Sequence, residues 1–296
     1  MITGKAKLAG VIGHPVSHSL SPVLHNYWLK HYGIDGAYVP LPVKPDAFET
    51  AIRGLQAAGF RGANVTIPHK ESAAAIADEV DPLARIAGSV NTLIFREDGK
   101  IHGSSTDGMG YVSSLEAEHV SIADIASRGS ALLLGAGGAA RSIATSLMEH
   151  GVSVIFSNRT GERADALARE LATAWQSHMK KSAPPLTTIP WDGWETALGE
   201  VSLLVNTTSL GMQGGPAPDW KPDLTNAPTH LVVSDIVYVP RETPFLRAAA
   251  ARGLKTVGGL GMLLHQARPG FRAWFGAEPE VDAATVEHVL AALKQR

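Results

Sequence analysis

Short apolar runs alternate with stretches of helical periodicity through the first part of the chain. Runs rich in β-branched residues predict strands at 8–12, 37–43 and 63–67, and the apolar spacing between them predicts helices over 22–31 and 46–58. Strands that alternate with helices in this way are typical of a parallel sheet.

A hairpin is predicted next. Residues 90–95 and 100–104 are strand-like and flank Asp98-Gly99, a pair that favours a tight turn between two antiparallel strands. We therefore expect one antiparallel strand in an otherwise parallel sheet.

A second alternating series follows the polar segment 116–130, which is predicted to be irregular. The predicted strands are 131–134, 152–157, 201–205 and 231–237, the predicted helices are 138–150 and 162–175, and the predicted loops are the Pro-rich and Gly-rich segments 182–190 and 214–228. Two strand–helix units in tandem indicate half of a Rossmann fold. The last 35 residues, 262–296, return to a helical pattern.

Composition narrows the class of protein. A chain of 296 residues with 45% hydrophobic and 18% charged positions is expected to form two soluble α/β domains. Its 26 basic and 28 acidic side chains nearly balance, so a strongly basic surface that would bind nucleic acid is not expected. No segment has the length of a membrane span, no signal peptide is visible, and cysteine is absent, so the expected location is cytoplasmic.

A glycine-rich turn is the first candidate site. Gly135, Gly137 and Ala140 form G-x-G-x-x-A directly after a predicted strand and before a predicted helix. The glycines allow a tight turn and close approach of a pyrophosphate, whose charge is stabilised by the helix N-terminus. The alternative is a turn that binds no ligand.

The residues after the next strand bear on the choice of cofactor. An Asp or Glu would accept hydrogen bonds from the ribose of NAD at this point, but the chain has Asn158, Arg159 and Thr160, with Arg163 in the next helix. A guanidinium can bind the 2'-phosphate of NADP. The alternative is that both arginines are solvated surface charges near Glu162 and Glu170.

Two polar segments of the first domain suggest a ligand. Ser19 and Ser21 precede a helix and could hold a carboxylate, although a simple N-cap would explain them equally well. Asn64, Thr66 and Pro68 alternate with apolar residues, so a continuous strand would place them on one face.

These segments, taken together, resemble the shikimate dehydrogenase family, which also includes quinate dehydrogenases. The resemblance rests on seven motifs in order along the chain: 19–22 with His25-Asn26, 64–70, 88–92, Thr106-Asp107 with Gly110, 135–139, 158–160, and 261–267 with Gln266. Ser105 and Ser89 depart from the family pattern, which usually has Asn and Ala there, and this leaves fine substrate preference open.

The resemblance implies a substrate domain of residues 1–107 and 259–296 and an NADP-binding Rossmann domain of residues 108–258. It implies NADP-dependent reduction of 3-dehydroshikimate to shikimate in aromatic amino acid biosynthesis. Lys70 and Asp107 would be the catalytic acid/base pair. Without the family motifs, Lys70 would be interpreted as a surface lysine and Asp107 as a helix N-cap.

The resemblance also implies two sets of binding residues. The substrate would contact Ser19, Ser21, Asn64, Thr66, Asn91, Tyr238 and Gln266. The cofactor would contact Gly135, Ala136, Gly137, Gly138, Ala139, Asn158, Arg159, Thr160, Arg163, Thr208, Ile236, Gly259 and Met262.

Other functions stay open at this stage. A quinate or quinate/shikimate dehydrogenase using NAD would share the fold and the catalytic pair, and a non-catalytic NADP-binding regulator would share the scaffold. No metal is expected, because the 12 histidines form no H-E-x-x-H motif and no thiolate is present. The expected partner is the small-molecule substrate, and neither nucleic acid nor a membrane is expected to bind. The sequence leaves open whether the chain forms a homodimer.

Overall fold

The computed structural model describes residues 2–180 and 182–294, in two compact units. One unit is Met1–Thr106 with Leu264–Arg296, and the other is Asp107–Leu263. The predicted domain ranges end at residues 1 and 296, which lie outside the described residues. Residues 259–263, expected in the substrate domain, fall in the second unit. The assignment of a function to each domain stays a prediction.

The elements alternate along the chain as α/β proteins require. The strands are β1 Lys7–Gly13, β2 Gly36–Pro42, β3 Gly62–Val65, β4 Glu79–Val80, β5 Thr92–Phe95, β6 Ile101–Ser104, β7 Ser130–Leu134, β8 Val154–Ser157, β9 Leu186–Ile189, β10 Val201–Asn206, β11 Val232–Asp235 and β12 Lys255–Val257. The helices are α1 Ser21–His31, α2 Phe48–Ala57, α3 Lys70–Ile76, α4 Pro82–Ala87, α5 Asp107–Ala117, α6 Ile122–Arg128, α7 Gly138–Glu149, α8 Gly161–Met179, α9 Pro244–Ala251, α10 Leu260–His265, α11 Arg268–Phe275 and α12 Ala283–Lys294. Short 3-10 helices occupy Pro45–Ala47 and Trp194–Glu200.

The first unit contains a mixed sheet with strand order β2-β1-β3-β5-β6-β4. Strand β5 runs antiparallel to both of its neighbours, whereas β1 pairs parallel with β2 and β3, and β4 pairs parallel with β6. The predicted antiparallel strand is therefore confirmed.

Aromatic side chains fill one side of this unit's core. Trp28, Trp274 and Phe271 are almost fully buried, and the Trp274 indole nitrogen donates to the Leu93 carbonyl at 3.0 Å. Gly62 permits this contact, because an added Cβ would lie 2.0 Å from the Leu93 oxygen. The C-terminal helices thereby close the core that the N-terminal strands begin.

The second unit has an all-parallel sheet with strand order β12-β11-β10-β7-β8-β9. This is the doubly wound order of a complete Rossmann fold, in which the order reverses between β7 and β10. The predicted α/β class with a Rossmann unit is confirmed. Leu132 and Leu204, on the two central strands, are fully buried in its core.

Several predicted elements differ from the structure. The segment 182–190 is not entirely loop, because β9 lies within it, and the polar segment 116–130 contains α6. Strand β3 ends at Val65, two residues earlier than predicted, so Thr66 lies beyond the strand. The bond between Ile67 and Pro68 is cis, and the exposed Pro68 does not share a strand face with the buried Asn64.

Candidate active site

Polar side chains collect at one edge of the sheet in the first unit. Strands β1 and β3 end there, and the antiparallel β5 begins there, with Asn64 opposite Thr92. Because the direction of β5 is reversed, residues that lie before it come to the same edge as residues that follow β3. This topology explains how Asn64 and Asn91, 27 positions apart, come to be neighbours.

Asn64 is the centre of a hydrogen-bond network at this edge. Its Oδ1 accepts from the Tyr38 hydroxyl at 2.6 Å, and its Nδ2 donates to the Asn91 carbonyl at 3.2 Å and to the Thr92 hydroxyl at 3.1 Å. The side chain is 5% exposed. Both amide hydrogens are committed within the protein, so Asn64 is suited to orienting its neighbours.

Asn91 extends the network to the end of β6. Its Oδ1 accepts from the Thr106 backbone N–H at 2.8 Å, and its Nδ2 donates to the Thr106 hydroxyl at 3.0 Å. Tyr38, Thr92 and Thr106 were absent from the predicted site. Thr92 and Thr106 lie within the family motifs, whereas Tyr38 lies outside them and joins the site through a tertiary hydrogen bond.

The two serines before α1 do not cap it. The helix begins at Ser21, the N-cap residue is Leu20, and no side chain caps the helix. The Ser19 hydroxyl accepts from the Ser21 backbone N–H at 3.3 Å. The simple N-cap interpretation is therefore wrong.

The remaining predicted residues of this unit lie in loops and helix starts. Lys70 is the first residue of α3 and is half-buried, and its carbonyl accepts from the Val90 N–H at 3.1 Å. Thr66 is half-buried, and Gln266 is 9% exposed.

Asp107 begins α5 in the second unit and is 9% exposed. Since Lys70 belongs to the first unit, their action as a pair stays a prediction.

The glycine-rich turn lies at the switch point of the second sheet. Gly135 follows β7 with φ +113°, and an added Cβ there would lie 2.7 Å from the Thr207 hydroxyl, which follows β10. Gly137 and Gly138 are exposed, and an added Cβ on either would meet nothing within 4 Å. Open space at the start of the 12-residue helix α7 fits a pyrophosphate. Ala140 is fully buried, as close helix packing requires.

The segment after β8 is open to solvent. Arg159 and Arg163 are exposed, and the Asn158 Nδ2 donates to the Thr160 carbonyl at 2.8 Å. Among the described residues, neither arginine forms an ion pair, and Glu170 pairs with a different arginine of α7. Both guanidinium groups are therefore available to an anion.

A buried carboxyl group organises the loops after β10 and β11. Asp235 Oδ1 accepts from Asn206 Nδ2 at 3.0 Å, and its Oδ2 accepts from the Thr243 hydroxyl at 2.7 Å. Burial raises the pKa of Asp235 to about 6 against these hydrogen bonds. Asn206 Oδ1 in turn accepts from the Thr208 N–H and hydroxyl at 3.1 and 2.7 Å. Sequence reasoning missed this pair, which holds Thr208 and the residues after β11.

Three more predicted cofactor residues lie near these loops. Gly259 packs against Ile236 so closely that an added Cβ would lie 2.1 Å from the Ile236 carbonyl oxygen. Met262 and Tyr238 are half-buried in the same unit, as is Ala136, whereas Ala139 lies in the first turn of α7.

Two histidines of the first unit, His25 and His69, are buried. Burial lowers the pKa of His25 to about 3, and its ring lies 3.9 Å from that of Tyr38. The His69 Nε2 lies 2.7 Å from the Val43 carbonyl. Over residues 2–180 and 182–294, His, Cys, Asp and Glu side chains form no group of three or more that could ligate a metal. No helix there combines the length and apolar composition of a membrane span.

The second unit combines an all-parallel sheet with a glycine turn at its switch point, and the first unit carries clustered polar groups. This combination is typical of dinucleotide-binding α/β enzymes. Three segments match family profiles: the shikimate dehydrogenase substrate binding domain at residues 11–93, shikimate / quinate 5-dehydrogenase at 118–183, and the shikimate 5'-dehydrogenase C-terminal domain at 259–285. A shikimate dehydrogenase (NADP(+)) of Gluconobacter oxydans is 51% identical, over 99% of both chains. The chain belongs to the shikimate dehydrogenase family.

Solved structures agree with this membership. Shikimate 5-dehydrogenase of Thermus thermophilus, in complex with NADP(H) and shikimate, is 35% identical with a TM-score of 0.80, covering 98% of this chain and 100% of that one. A quinate dehydrogenase of Corynebacterium glutamicum, in complex with NAD, is 28% identical with a TM-score of 0.85, covering 97% of this chain and 99% of that one. The fold is therefore shared by enzymes that differ in substrate and cofactor.

Proposed function

We propose that this chain catalyses the reversible, NADP-dependent reduction of 3-dehydroshikimate to shikimate, a step of aromatic amino acid biosynthesis. The observation that carries the proposal is the 51% identity, over 99% of the chain, to an NADP-dependent shikimate dehydrogenase. The exposed arginines after β8 support NADP over NAD, since no acidic side chain there would accept hydrogen bonds from an unphosphorylated ribose.

The chemistry requires a proton to move at the reacting hydroxyl, and NADP, when bound, takes up the hydride. Lys70 and Asp107 act on that proton as a unit: the ammonium protonates the carbonyl oxygen in reduction, and the amine accepts the hydroxyl proton in oxidation. Each of the two residues begins a helix, and Lys70 is half-buried whereas Asp107 is 9% exposed. These positions support the proposed role.

The substrate domain binds a carboxylated, hydroxylated ring. Ser19 and Ser21 hold the carboxylate beside the N-terminus of α1, where backbone N–H groups add positive potential. The other predicted substrate residues bond ring hydroxyls or orient the catalytic pair: Asn64, Thr66, Asn91, Tyr238 and Gln266. The Asn64 amide already accepts one hydrogen bond and donates two within the protein, which supports an orienting role for that residue.

The residues of the second unit fit a dinucleotide. The open space at Gly137 and Gly138 takes the pyrophosphate on the N-terminus of α7, and Arg159 and Arg163 hold the 2'-phosphate through charge-assisted hydrogen bonds. The other residues proposed to line the cofactor are Gly135, Ala136, Ala139, Asn158, Thr160, Thr208, Ile236, Gly259 and Met262.

Initial rates with four pairs of substrate and cofactor test the function directly. NADPH or NADH formation is followed by absorbance with shikimate or quinate, each beside NADP or NAD. The highest kcat/KM is expected for shikimate with NADP. A higher kcat/KM for quinate with NAD would replace the proposal by the function of the Corynebacterium relative, and absence of reduction with every pair would favour a non-catalytic NADP-binding protein.

The catalytic assignment is tested by Lys70→Ala. We expect turnover to fall by far more than tenfold, about 1.4 kcal/mol of barrier, with little change in KM or in NADP binding. Lys30→Ala, at an exposed position on α1, is the matched control and should retain the turnover of the parent. Turnover of Lys70→Ala within about tenfold of the parent would refute the role of Lys70.

We further propose a cytoplasmic location and a homodimer. The location follows from the biosynthetic role, and fractionation of cells expressing the tagged chain tests it. Light scattering of the purified protein tests the dimer, and a mass of 31.2 kDa would show a monomer instead.

A further inference from the structure

Tyr38 is a buried tyrosine on β2 that the proposed mechanism does not use. Its side chain is 1% exposed, and its ring stacks on His25 of α1 with centroids 3.9 Å apart and planes 2° from parallel. Asn26, the next residue of α1, holds the backbone of Tyr38: its Oδ1 accepts from the Tyr38 N–H at 3.1 Å, and its Nδ2 donates to the Tyr38 carbonyl at 2.8 Å. The motif His25-Asn26 therefore fixes both the ring and the backbone of Tyr38.

The Tyr38 hydroxyl contacts a proposed substrate-binding residue. It lies 2.6 Å from Asn64 Oδ1. Since Asn64 Nδ2 donates both of its hydrogens to other residues, Oδ1 is the acceptor and the phenol donates to it.

These bonds connect α1, through Asn26 and Tyr38, to Asn64 at the end of β3, where the ring hydroxyls are proposed to bind. Burial raises the pKa of Tyr38 well above its ordinary value, so the phenol keeps its proton throughout the neutral range. Removing the phenol oxygen would leave the buried Asn64 Oδ1 without its donor.

We propose that Tyr38, held by His25 and Asn26, is a positioning residue that fixes the Asn64 side chain in the orientation the substrate requires. The inference rests on the proposed function and deepens it, because it assigns substrate affinity to a residue beyond the proposed contact set. Tyr38 acts through Asn64 and does not carry out a chemical step.

The test is Tyr38→Phe, which removes the hydroxyl and keeps the ring that stacks on His25. We expect KM and Kd for shikimate to rise about tenfold, which corresponds to about 1.4 kcal/mol. Turnover at saturating shikimate and KM for NADP should stay within about twofold of the parent, because the chemical groups and the cofactor site are untouched.

Tyr32→Phe is the matched control, since it removes a phenol from the same unit whose hydroxyl accepts from the Glu280 N–H at 3.1 Å. It should leave KM for shikimate unchanged. Asn26→Ala is a second variant that releases the Tyr38 backbone without removing the hydroxyl, and it should raise KM for shikimate in the same direction. Combining Tyr38→Phe with Asn64→Ala should cost less than the sum of the two single effects.

An unchanged KM for shikimate in Tyr38→Phe would overturn the proposal, as would equal shifts of KM for shikimate and for NADP. Failure of Tyr38→Phe to fold, with Tyr32→Phe folded and KM unchanged in Asn26→Ala, would show that the hydroxyl serves the fold alone. The proposed function fails separately, if the parent forms no NADPH with shikimate.

Discussion

Replacement of Asp235 by Asn should remove a pH-dependent loss of stability that the buried carboxyl imposes on the second unit. Asp235 is fully buried at the end of β11, and burial raises its pKa from 3.8 to about 6, although the groups that face it all donate hydrogen bonds to it. These donors are the Thr243 hydroxyl at 2.7 Å, Asn206 Nδ2 at 3.0 Å and the Val237 N–H at 3.0 Å. They offset only part of the cost of burying the charge.

The sign of the effect follows from the direction of the shift. Because the folded state binds this proton more tightly than the unfolded state, the contribution of Asp235 to stability is complete below the unfolded pKa of 3.8 and is lost as pH rises through about 6. A shift of roughly two units corresponds to about 3 kcal/mol in total. Between about pH 5 and about pH 7.5 the linkage relation gives a loss of roughly 1.4 kcal/mol.

Asparagine keeps the shape of the side chain and one carbonyl acceptor, and it carries no charge to titrate. Denaturant unfolding of the parent and of Asp235→Asn, followed by tryptophan fluorescence, gives both free energies of unfolding at a series of pH values. The stability of the variant relative to the parent should increase by about 1.4 kcal/mol from about pH 5 to about pH 7.5. A difference that is constant over this range, or that decreases, would refute the reasoning.

Asp223→Asn is the control for the direction in which stability changes with pH. Asp223 is exposed, and the hydrogen bonds from the Thr225 hydroxyl and N–H lower its pKa. Because its folded pKa is depressed, the stabilisation by Asp223 is present above the unfolded value and is lost as pH falls. The two variants should therefore differ in the sign of their pH dependence.

Three further substitutions test the cofactor assignment and the packing. Arg159→Ala should raise KM for NADP about tenfold and leave KM for NAD unchanged, because only NADP carries the 2'-phosphate; equal weakening of both cofactors in initial-rate assays would contradict this. Gly62→Ala should destabilise the first unit by about 3 kcal/mol in denaturant unfolding, since φ is +150° and the new Cβ would lie 2.0 Å from the Leu93 carbonyl oxygen; a loss under about 1 kcal/mol would be inconsistent with that contact. Thr243→Ala should cost about 2 kcal/mol, because α9 loses its N-cap and Asp235 loses a donor, and an unchanged thermal midpoint would argue against both contacts.

The elements that the sequence predicted well are those with strong local signals. Buried strands such as β7 and β10 are continuous apolar runs, and α7 follows a glycine turn that marks its start. The three missed strands are short edge strands. In the first sheet, β4 has two residues and lies at one end; in the second, β9 has four residues between prolines at one end, and β12 has three residues at the other. An edge strand buries little, so its apolar pattern is weak and only tertiary pairing reveals it.

The candidate site also contains residues that local sequence motifs reveal and contacts that only the tertiary fold creates. The motif residues Asn64 and Asn91 could be selected from sequence because the family motifs contain them, but nothing local shows that Asn64 Nδ2 donates to the Asn91 carbonyl. That contact depends on the reversed direction of β5, which brings the start of one strand to the end of another. Tyr38 and Asp235 lie outside the seven motifs and were missed for this reason.

The two missed residues have a common physical role in their separate units. Tyr38 and Asp235 are buried, and each is hydrogen-bonded to an asparagine whose amide hydrogens are donated to other protein groups. Asn64 joins β3 to β5, and Asn206 joins β10 to the end of β11. An asparagine with every hydrogen committed cannot rotate without breaking several bonds at once, so it holds the loop beyond its strand in one conformation. Proposed ligand contacts lie on those loops, at Thr66 after β3 and at Thr208 after β10. We therefore expect affinity for the substrate to depend on Tyr38, the partner of Asn64, and affinity for the cofactor to depend on Asp235, the partner of Asn206.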